Sequence, residues 1–246
     1  MLCTLDWGPE GLLEAVRRED VVVLVDVLRF CSTAVAAVRA GVRIIPAPGR
    51  LEAEGLAAAL RLPVVTSSKE GYEAGRPTDS PIWYERYAVA GTRVVYPSSN
   101  GGRLLSSVRD YPHVVLGALL NASAAARYAS ALAGSLGKGV TVVAAGEIST
   151  DFDPEALPRL LFAAEDLLGA GAVIDALSAD LSAEAAVALG AWEACVQDRT
   201  RLLLASRSGR HLQSTGRQEE VEYCAQLDIT EVVPVLRHGE IVAAEG

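Results

Sequence analysis

The sequence predicts an α/β protein with three layers, in which a mostly parallel sheet lies between helices. Two observations carry this. Apolar β-branched runs alternate with helical patterns along most of the chain, which is the signature of strands joined by crossover helices. The run Val21 to Val25 is apolar throughout, as expected of a strand covered on both faces. A third observation, a strand pair around Arg237-His238-Gly239 near the end of the chain, adds antiparallel strands and makes the sheet mixed. That pair is expected at a sheet edge.

The predicted strands are 21–25, 42–47, 63–67, 93–97, 113–118 and 140–145, each a short apolar run bounded by polar or turn residues. The predicted helices are 32–40, 50–60, 101–108, 121–134, 157–177 and 182–205, each with apolar residues at helical spacing. Ser32 or Thr33 is expected to cap the first of these. Residues 217–227 read as a short helix, and Glu231 to Val242 as the strand pair. Residues 146–156 form a polar loop expected over the site. No linker or repeat divides the 246 residues, so residues 1–246 are read as one domain.

Composition narrows the function. Half of the chain is apolar and the formal charge is −9, which leaves no basic patch for nucleic acid. No stretch is long and apolar enough to span a bilayer, and no leader pattern is present. Four cysteines, at 3, 31, 195 and 224, are far apart. Together these features predict a protein of the reducing cytoplasm that binds neither nucleic acid nor membrane, with thiols used as packing. A homo-oligomer stays open.

Candidate chemistry collects at strand ends, where ligands bind in open α/β sheets. Asp26 and Arg29 follow the first predicted strand and suit a metal and an anion together. Their plainer reading is a helix cap and a surface ion pair. Glu70 lies just past strand 63–67, in a long loop from Ser67 to Pro81. Ser98-Ser99-Asn100-Gly101-Gly102 follows strand 93–97 and can form an anion nest or an ordinary turn. Asn121 reads first as a cap. Glu165 and Asp166 are adjacent on a helix, so at most one is expected to face a metal. Small residues at 169–172 predict close packing there.

Other schemes fit poorly. His113, His211 and His238 form no His-Glu-x-x-His pair. There is no Gly-x-Ser-x-Gly elbow, no Walker loop and no dinucleotide fingerprint. Cys31 lacks the arginine of a Cys-x5-Arg phosphate loop, since position 37 is Ala.

The order of several short motifs resembles the 2-phosphosulfolactate phosphatase family. They are Val25-Asp26-Val27-Leu28-Arg29, Ser98-Ser99-Asn100-Gly101, Leu116 to Ala122, Ala144-Ala145-Gly146, and Ala164-Glu165-Asp166-Leu167-Leu168-Gly169-Ala170-Gly171. Ala205 to Leu212, Val221 to Asp228 and Val233-Pro234 complete the series. The resemblance implies an α/β/α fold and a Mg²⁺-dependent phosphatase of the coenzyme M pathway, which hydrolyses 2-phospho-3-sulfolactate to 3-sulfolactate and phosphate. It implies catalytic roles for Asp26, Arg29, Asn100 and Gly101. Asp26, Glu70 and Asp166 become the Mg²⁺ carboxylates, and Ser98, Ser99, Ser80 and Asn121 the substrate contacts. The partner is then a small anionic phosphorylated substrate.

Three departures bear on that substrate. The family's Gly-Phe-Asp-x-Gly-Asn-Ser-Pro loop is shorter here and reads Gly75-Arg76-Pro77-Thr78-Asp79-Ser80-Pro81, with Lys69 and Arg76 the cations left in the region. Thr-Thr-Asn-Gly-Thr has become Ser98 to Gly102, and an acid, Glu147, follows Ala-Ala-Gly. A non-catalytic binder of phosphorylated or sulfonated metabolites is the rival reading, and a lyase-type enzyme using the same anion site is a third.

Overall fold

The computed structural model describes residues 1–149 and 159–245. In chain order the elements are β1 (Leu2–Trp7), α1 (Gly8–Arg17), β2 (Val21–Val25), α2 (Phe30–Arg39), β3 (Arg43–Ala47), α3 (Arg50–Leu60), α4 (Lys69–Glu73) and α5 (Pro81–Tyr87). Then come β4 (Arg93–Pro97), α6 (Gly101–Ser107), β5 (Val114–Gly117), α7 (Ala122–Leu136), β6 (Val140–Ala144), β7 (Glu147–Ile148), β8 (Leu160–Leu161) and α8 (Ala164–Asp175). The chain ends through β9 (Asp180–Leu181), α9 (Ala183–Cys195), α10 (Arg199–Ala205), α11 (Arg207–Ser214), α12 (Gln218–Cys224), β10 (Pro234–Arg237) and β11 (Glu240–Ala243).

One nine-stranded sheet runs β4-β3-β11-β10-β5-β2-β6-β1-β9. Its pairings are parallel from β5 through β9 and between β3 and β4. They are antiparallel wherever β10 and β11 take part. The sheet is therefore mixed, as expected, but the β10–β11 hairpin lies inside it, between β5 and β3, and not at an edge. Although β4 lies five places from β2, the segment after it reaches the end of β2, where the Gly101 amide donates to Asp26.

β2 shows why the protein has three layers. All five of its residues are fully buried, and successive side chains point to opposite faces. Val21, Val23 and Val25 join the core built with α7 and α8, while Val22 and Leu24 join the one built with α1 and α2. A strand buried on both faces requires helices on both sides, and the β-branched run meets that need. Gly169 and Gly171 let α8 approach its neighbours. A Cβ on Gly169 would lie 2.5 Å from Val27 Cγ2, and one on Gly171 would lie 2.5 Å from the Ala188 carbonyl oxygen of α9.

Several elements differ from the sequence reading. β1 and α1 were not anticipated. Their pattern mixes Cys3, Leu5 and Trp7 with Thr4 and Asp6, a short alternation near a sheet edge, although Pro9 in the first turn is a usable helix-start signal. Residues 63–67 form no strand of the sheet; they make only the bridges Val64 to Val95 and Thr66 to Thr78. Pro63 has no amide to donate to a ladder. The helix expected at 157–177 begins at Ala164, preceded by β8 paired to β7. Positions 150–156 of the expected polar loop lie outside the described residues, as do 157 and 158. The helix expected at 182–205 breaks at a 3₁₀ turn, Val196–Asp198, where Arg199 binds the carbonyls of Val196 and Ala225. Ser32 and Thr33 lie inside α2 and donate to the carbonyls of Val27 and Asp79, so neither caps it. All four cysteines are free, three of them buried. No described helix is long and apolar enough to cross a membrane.

The close approach of α8 and α9 makes a clear prediction. Gly171→Val should lower stability by about 3 kcal/mol through overpacking, read as a shifted midpoint in urea with an unchanged slope. A midpoint equal to wild type would mean that the helices can part without loss.

Candidate active site

Two aspartates organise the ends of the central strands. Asp26, just past β2, accepts the Phe30 amide at 3.2 Å on Oδ1 and the Gly101 amide at 3.0 Å on Oδ2. It therefore caps α2 and at the same time holds the start of α6. Asp166, in the first turn of α8, accepts the Val27 amide at 2.8 Å and the Gly146 amide at 3.0 Å on its two oxygens. It clips the end of β2 to the end of β6. Both side chains are buried. Gly101 is required by the close approach: a Cβ there would lie 2.3 Å from Phe30 Cδ1 and 2.9 Å from Asp26 Oδ2. Its amide is committed to Asp26, so the expected anion nest at Ser98 to Gly102 does not offer that amide to a ligand.

Two more acids stand beside this pair. Glu165 is 2% exposed, and its Oε2 has no hydrogen-bond partner. At most one of Glu165 and Asp166 was expected to face a metal; both are buried, Asp166 with its two oxygens on backbone amides and Glu165 with one oxygen left without a partner. Both occupy the first turn of α8, next to the ends of β2 and β6. Glu147, on β7, is half-buried, and Ser208 Oγ lies 3.5 Å from its Oε2. Asn100 accepts the Ile148 amide at 3.0 Å, which fixes β7 next to the end of β4.

The acids load one another electrostatically. Burial drives the Asp26 carboxyl upward in pKa against the pull of the Gly101 and Phe30 amides, and the charges of Glu147 and Glu165 add to the rise. Burial also raises Asp166, as do Asp26 and Glu165, while the Val27 and Gly146 amides oppose it. Glu147 is raised by burial and by Glu165, with Asn100, Ser208 and Arg207 acting the other way. No described lysine or arginine forms an ion pair with Asp26, Glu165 or Asp166. A cluster of this kind favours a proton or an added cation.

A cleft of about 440 Å³ adjoins the acids. Arg29, Glu147, Arg207, Ser208 and His211 line it beside Leu28, Ile148 and Leu212. Arg29 is nine-tenths buried and pairs with Asp79 at 2.7 Å and with Glu220. Arg217 reaches the other Asp79 oxygen at 3.4 Å. Arg29 is thus an ion-pair residue, but its partners are the buried Glu220 and the half-buried Asp79 and not a surface acid, and it still faces the cleft. Arg207, at the start of α11, has no ion pair among the described residues. Arg207, Ser208 and His211 were not singled out for chemistry, because α11 reaches the site only through the tertiary fold. The Ser206 cap, which accepts the Gly209 amide at 3.1 Å, was the available signal for that helix.

The remaining candidates lie elsewhere. Glu70 is exposed on α4, so the expected Asp26–Glu70–Asp166 set does not assemble. No three described acidic, histidine or cysteine side chains form a ready metal cage. Asn121 is fully buried, accepts the Ala118 amide and donates to the carbonyls of Leu116 and Val232. It is a structural clamp with no contact left for substrate. Ser98 and Ser99 line a separate cavity with Arg50 and Asp79, and Ser80 lines another with Arg217 and Glu220. The Arg29–Asp79–Glu220 group separates these cavities from the cleft.

Comparison with known proteins gives a consistent result. The family model described as 2-phosphosulpholactate phosphatase matches residues 8–239. The chain is 30% identical over 223 residues to a probable 2-phosphosulfolactate phosphatase of Gloeobacter violaceus, covering 87% of each chain. It is 32% identical over 227 residues to the 2-phosphosulfolactate phosphatase of Methanothermobacter thermautotrophicus, covering 91% of this chain and 89% of the relative. A probable 2-phosphosulfolactate phosphatase of Deinococcus radiodurans is 31% identical over 250 residues, with 92% and 91% covered.

The two neighbouring acids of α8 should separate by mutation. Asp166→Asn leaves a buried amide facing an NH₂ group and should cost about 2 kcal/mol. Glu165→Gln removes a repelling charge and should melt at or above the wild-type temperature at pH 8. Equal losses in thermal melts of the two variants would contradict this division. The pH dependence has a definite sign. Asp26 and Asp166 hold protons more tightly folded than unfolded, so stability is lost as pH rises through their folded values and regained as it falls toward the ordinary carboxylate range near about 4. Without added metal, the protein should melt higher at pH 6 than at pH 8 in calorimetry.

Proposed function

The chain belongs to the 2-phosphosulfolactate phosphatase family, and from that membership we propose that it is a Mg²⁺-dependent phosphomonoester hydrolase, with 2-phospho-3-sulfolactate as the reference substrate. The observation that carries this reading is the buried Glu165 carboxylate, with an oxygen lacking any partner, among acids whose proton affinities are raised. Such a group is costly unless a cation joins it.

The donor set fits Mg²⁺. This ion commonly takes one or two carboxylates, with waters and a substrate phosphate filling the remaining positions, so a three-residue cage is not needed. Glu165 and Asp26 would hold it, directly or through water, while Asp166 keeps the ends of β2 and β6 in place. When bound, the ion supplies positive charge that polarises a phosphoryl oxygen and makes water more acidic.

The chain's own residues then divide the work. Arg207 binds the phosphoryl oxygens from the wall of the cleft. Arg29 donates to them with guanidinium hydrogens not taken by Asp79 and Glu220. One carboxylate of the cluster takes up the proton of the attacking water. Leu28 and Leu212 exclude bulk water from the organic part of the ester. Gly101 acts through Asp26, which its amide orients.

The test is phosphate release from a panel of phosphomonoesters with and without Mg²⁺. Asp26→Asn and Glu165→Gln should each lose about a hundredfold or more in turnover while remaining folded. Mg²⁺ should raise the melting temperature more at pH 8 than at pH 6, because protons compete for the same acids. Full Mg²⁺-dependent turnover in folded Glu165→Gln would remove Glu165 from the site. Anion binding with no release from any ester would leave a binder in place of an enzyme.

A further inference from the structure

The cleft holds unusually little spare positive charge for a substrate with several anionic groups. Arg29 and Arg217 are matched by Asp79 and Glu220, so these four charges cancel. Arg207 is the cation on the cleft wall without an ion pair among the described residues, and Glu147 shares that wall. Glu147 is half-buried, and Ser208 Oγ lies 3.5 Å from its Oε2. Turning out into solvent would lose that contact. Behind it stand Asp26, Glu165 and Asp166. A bound divalent cation would balance the inner acids, and the phosphoryl group of the ester would face that cation and Arg207. Among the described residues of the cleft, a second or third anionic group on the ester would then meet Glu147 with only the His211 imidazole beside it.

Resting on the phosphatase reading above, we infer that Glu147 determines specificity by charge. It turns this cleft toward phosphomonoesters whose organic part carries hydroxyl groups rather than further carboxylate or sulfonate groups. A hydroxyl can donate to the Glu147 carboxylate, whereas a second anion is repelled by it at low dielectric. The cleft of about 440 Å³ is of a size for small ligands, and Leu28, Ile148 and Leu212 provide contact for a short carbon skeleton.

The experiment is a charge ladder at fixed ionic strength with Mg²⁺ at pH 8. The esters are glycerol 2-phosphate, 2-phosphoglycerate and 2-phospho-3-sulfolactate, which carry no, one and two further anionic groups. Wild type should show kcat/KM falling along the ladder. Glu147→Gln should raise the ratio of the last ester to the first by about tenfold or more. Glu147→Asp, which keeps the charge, should keep the wild-type order and guards against a packing effect. The same comparison is made by calorimetric binding of glycerate and 3-sulfolactate, which need no turnover. There, Glu147→Gln should strengthen 3-sulfolactate binding more than glycerate binding. Unchanged ratios in folded Glu147→Gln, or a wild type that prefers the sulfonated ester, would overturn the inference. If no ester is hydrolysed, the phosphatase reading fails, and the binding ratios alone still decide the role of Glu147.

Discussion

The site depends on two buried carboxylates that each accept backbone amides from separate elements. Asp26 joins the end of β2 to α2 and α6, and Asp166 joins the ends of β2 and β6 to the first turn of α8. These bonds satisfy amides that the strand ends would otherwise bury without partners. They also bring two negative charges into one low-dielectric space, with Glu165 and Glu147 beside them. Assembly and electrostatic tension therefore have one source. The arrangement that closes the fold at the sheet's centre also creates its affinity for a proton or a cation.

The second organising group is the ion-pair wall of Arg29, Asp79, Glu220 and Arg217. Its acids come from the loop before α5 and from α12, so it ties the tail of the chain to the end of β2. Buried pairs of this kind add little net stability, but removing one partner strands the other charge. This limits what an Arg29 substitution can reveal. Loss of ligand binding in Arg29→Ala could arise from two stranded carboxylates as readily as from a lost phosphoryl contact. Arg207, which carries no such network, gives a cleaner reading of anion recognition.

Much of this was legible in the sequence, and the exceptions have physical causes. The run Val21 to Val25 revealed a central strand and, through it, the layers on both sides. Asp26 drew attention as a carboxylate just past a buried strand, whereas Asp166 was singled out only by the family resemblance, since the expected helix over 157–177 hid its place in a first turn. Spacing alone does not say which of the adjacent Glu165 and Asp166 is taken up by the backbone; the fold gives Asp166 to two amides and leaves the partnerless oxygen on Glu165. Glu70 and Asn121 carried the same local signal as Asp26, a polar side chain after an apolar run. Only the tertiary fold separates an exposed α4 glutamate and a fully bonded clamp from a group at the site. Arg207 and His211 lie on a helix whose local sequence says nothing about the strand ends it meets. β1 was missed because an alternating strand near an edge leaves a much weaker trace than one buried on both faces.

The glycines show how backbone and chemistry are coupled. Gly101 and Gly169 let α6 and α8 approach the end of β2 from opposite sides, against Phe30 and Asp26 in one case and against Val25 and Val27 in the other. If either helix stood a side chain's width farther out, an aspartate would lose an amide or the amide its acceptor. The negative cluster could then relax by admitting water, and its demand for a cation would weaken. Close packing around β2 is thus what keeps the acids desolvated, and desolvation is the largest cause of their raised proton affinities. The small residues around the site and the charged ones within it form one design: the first excludes water, and the second becomes cation-seeking because water is excluded.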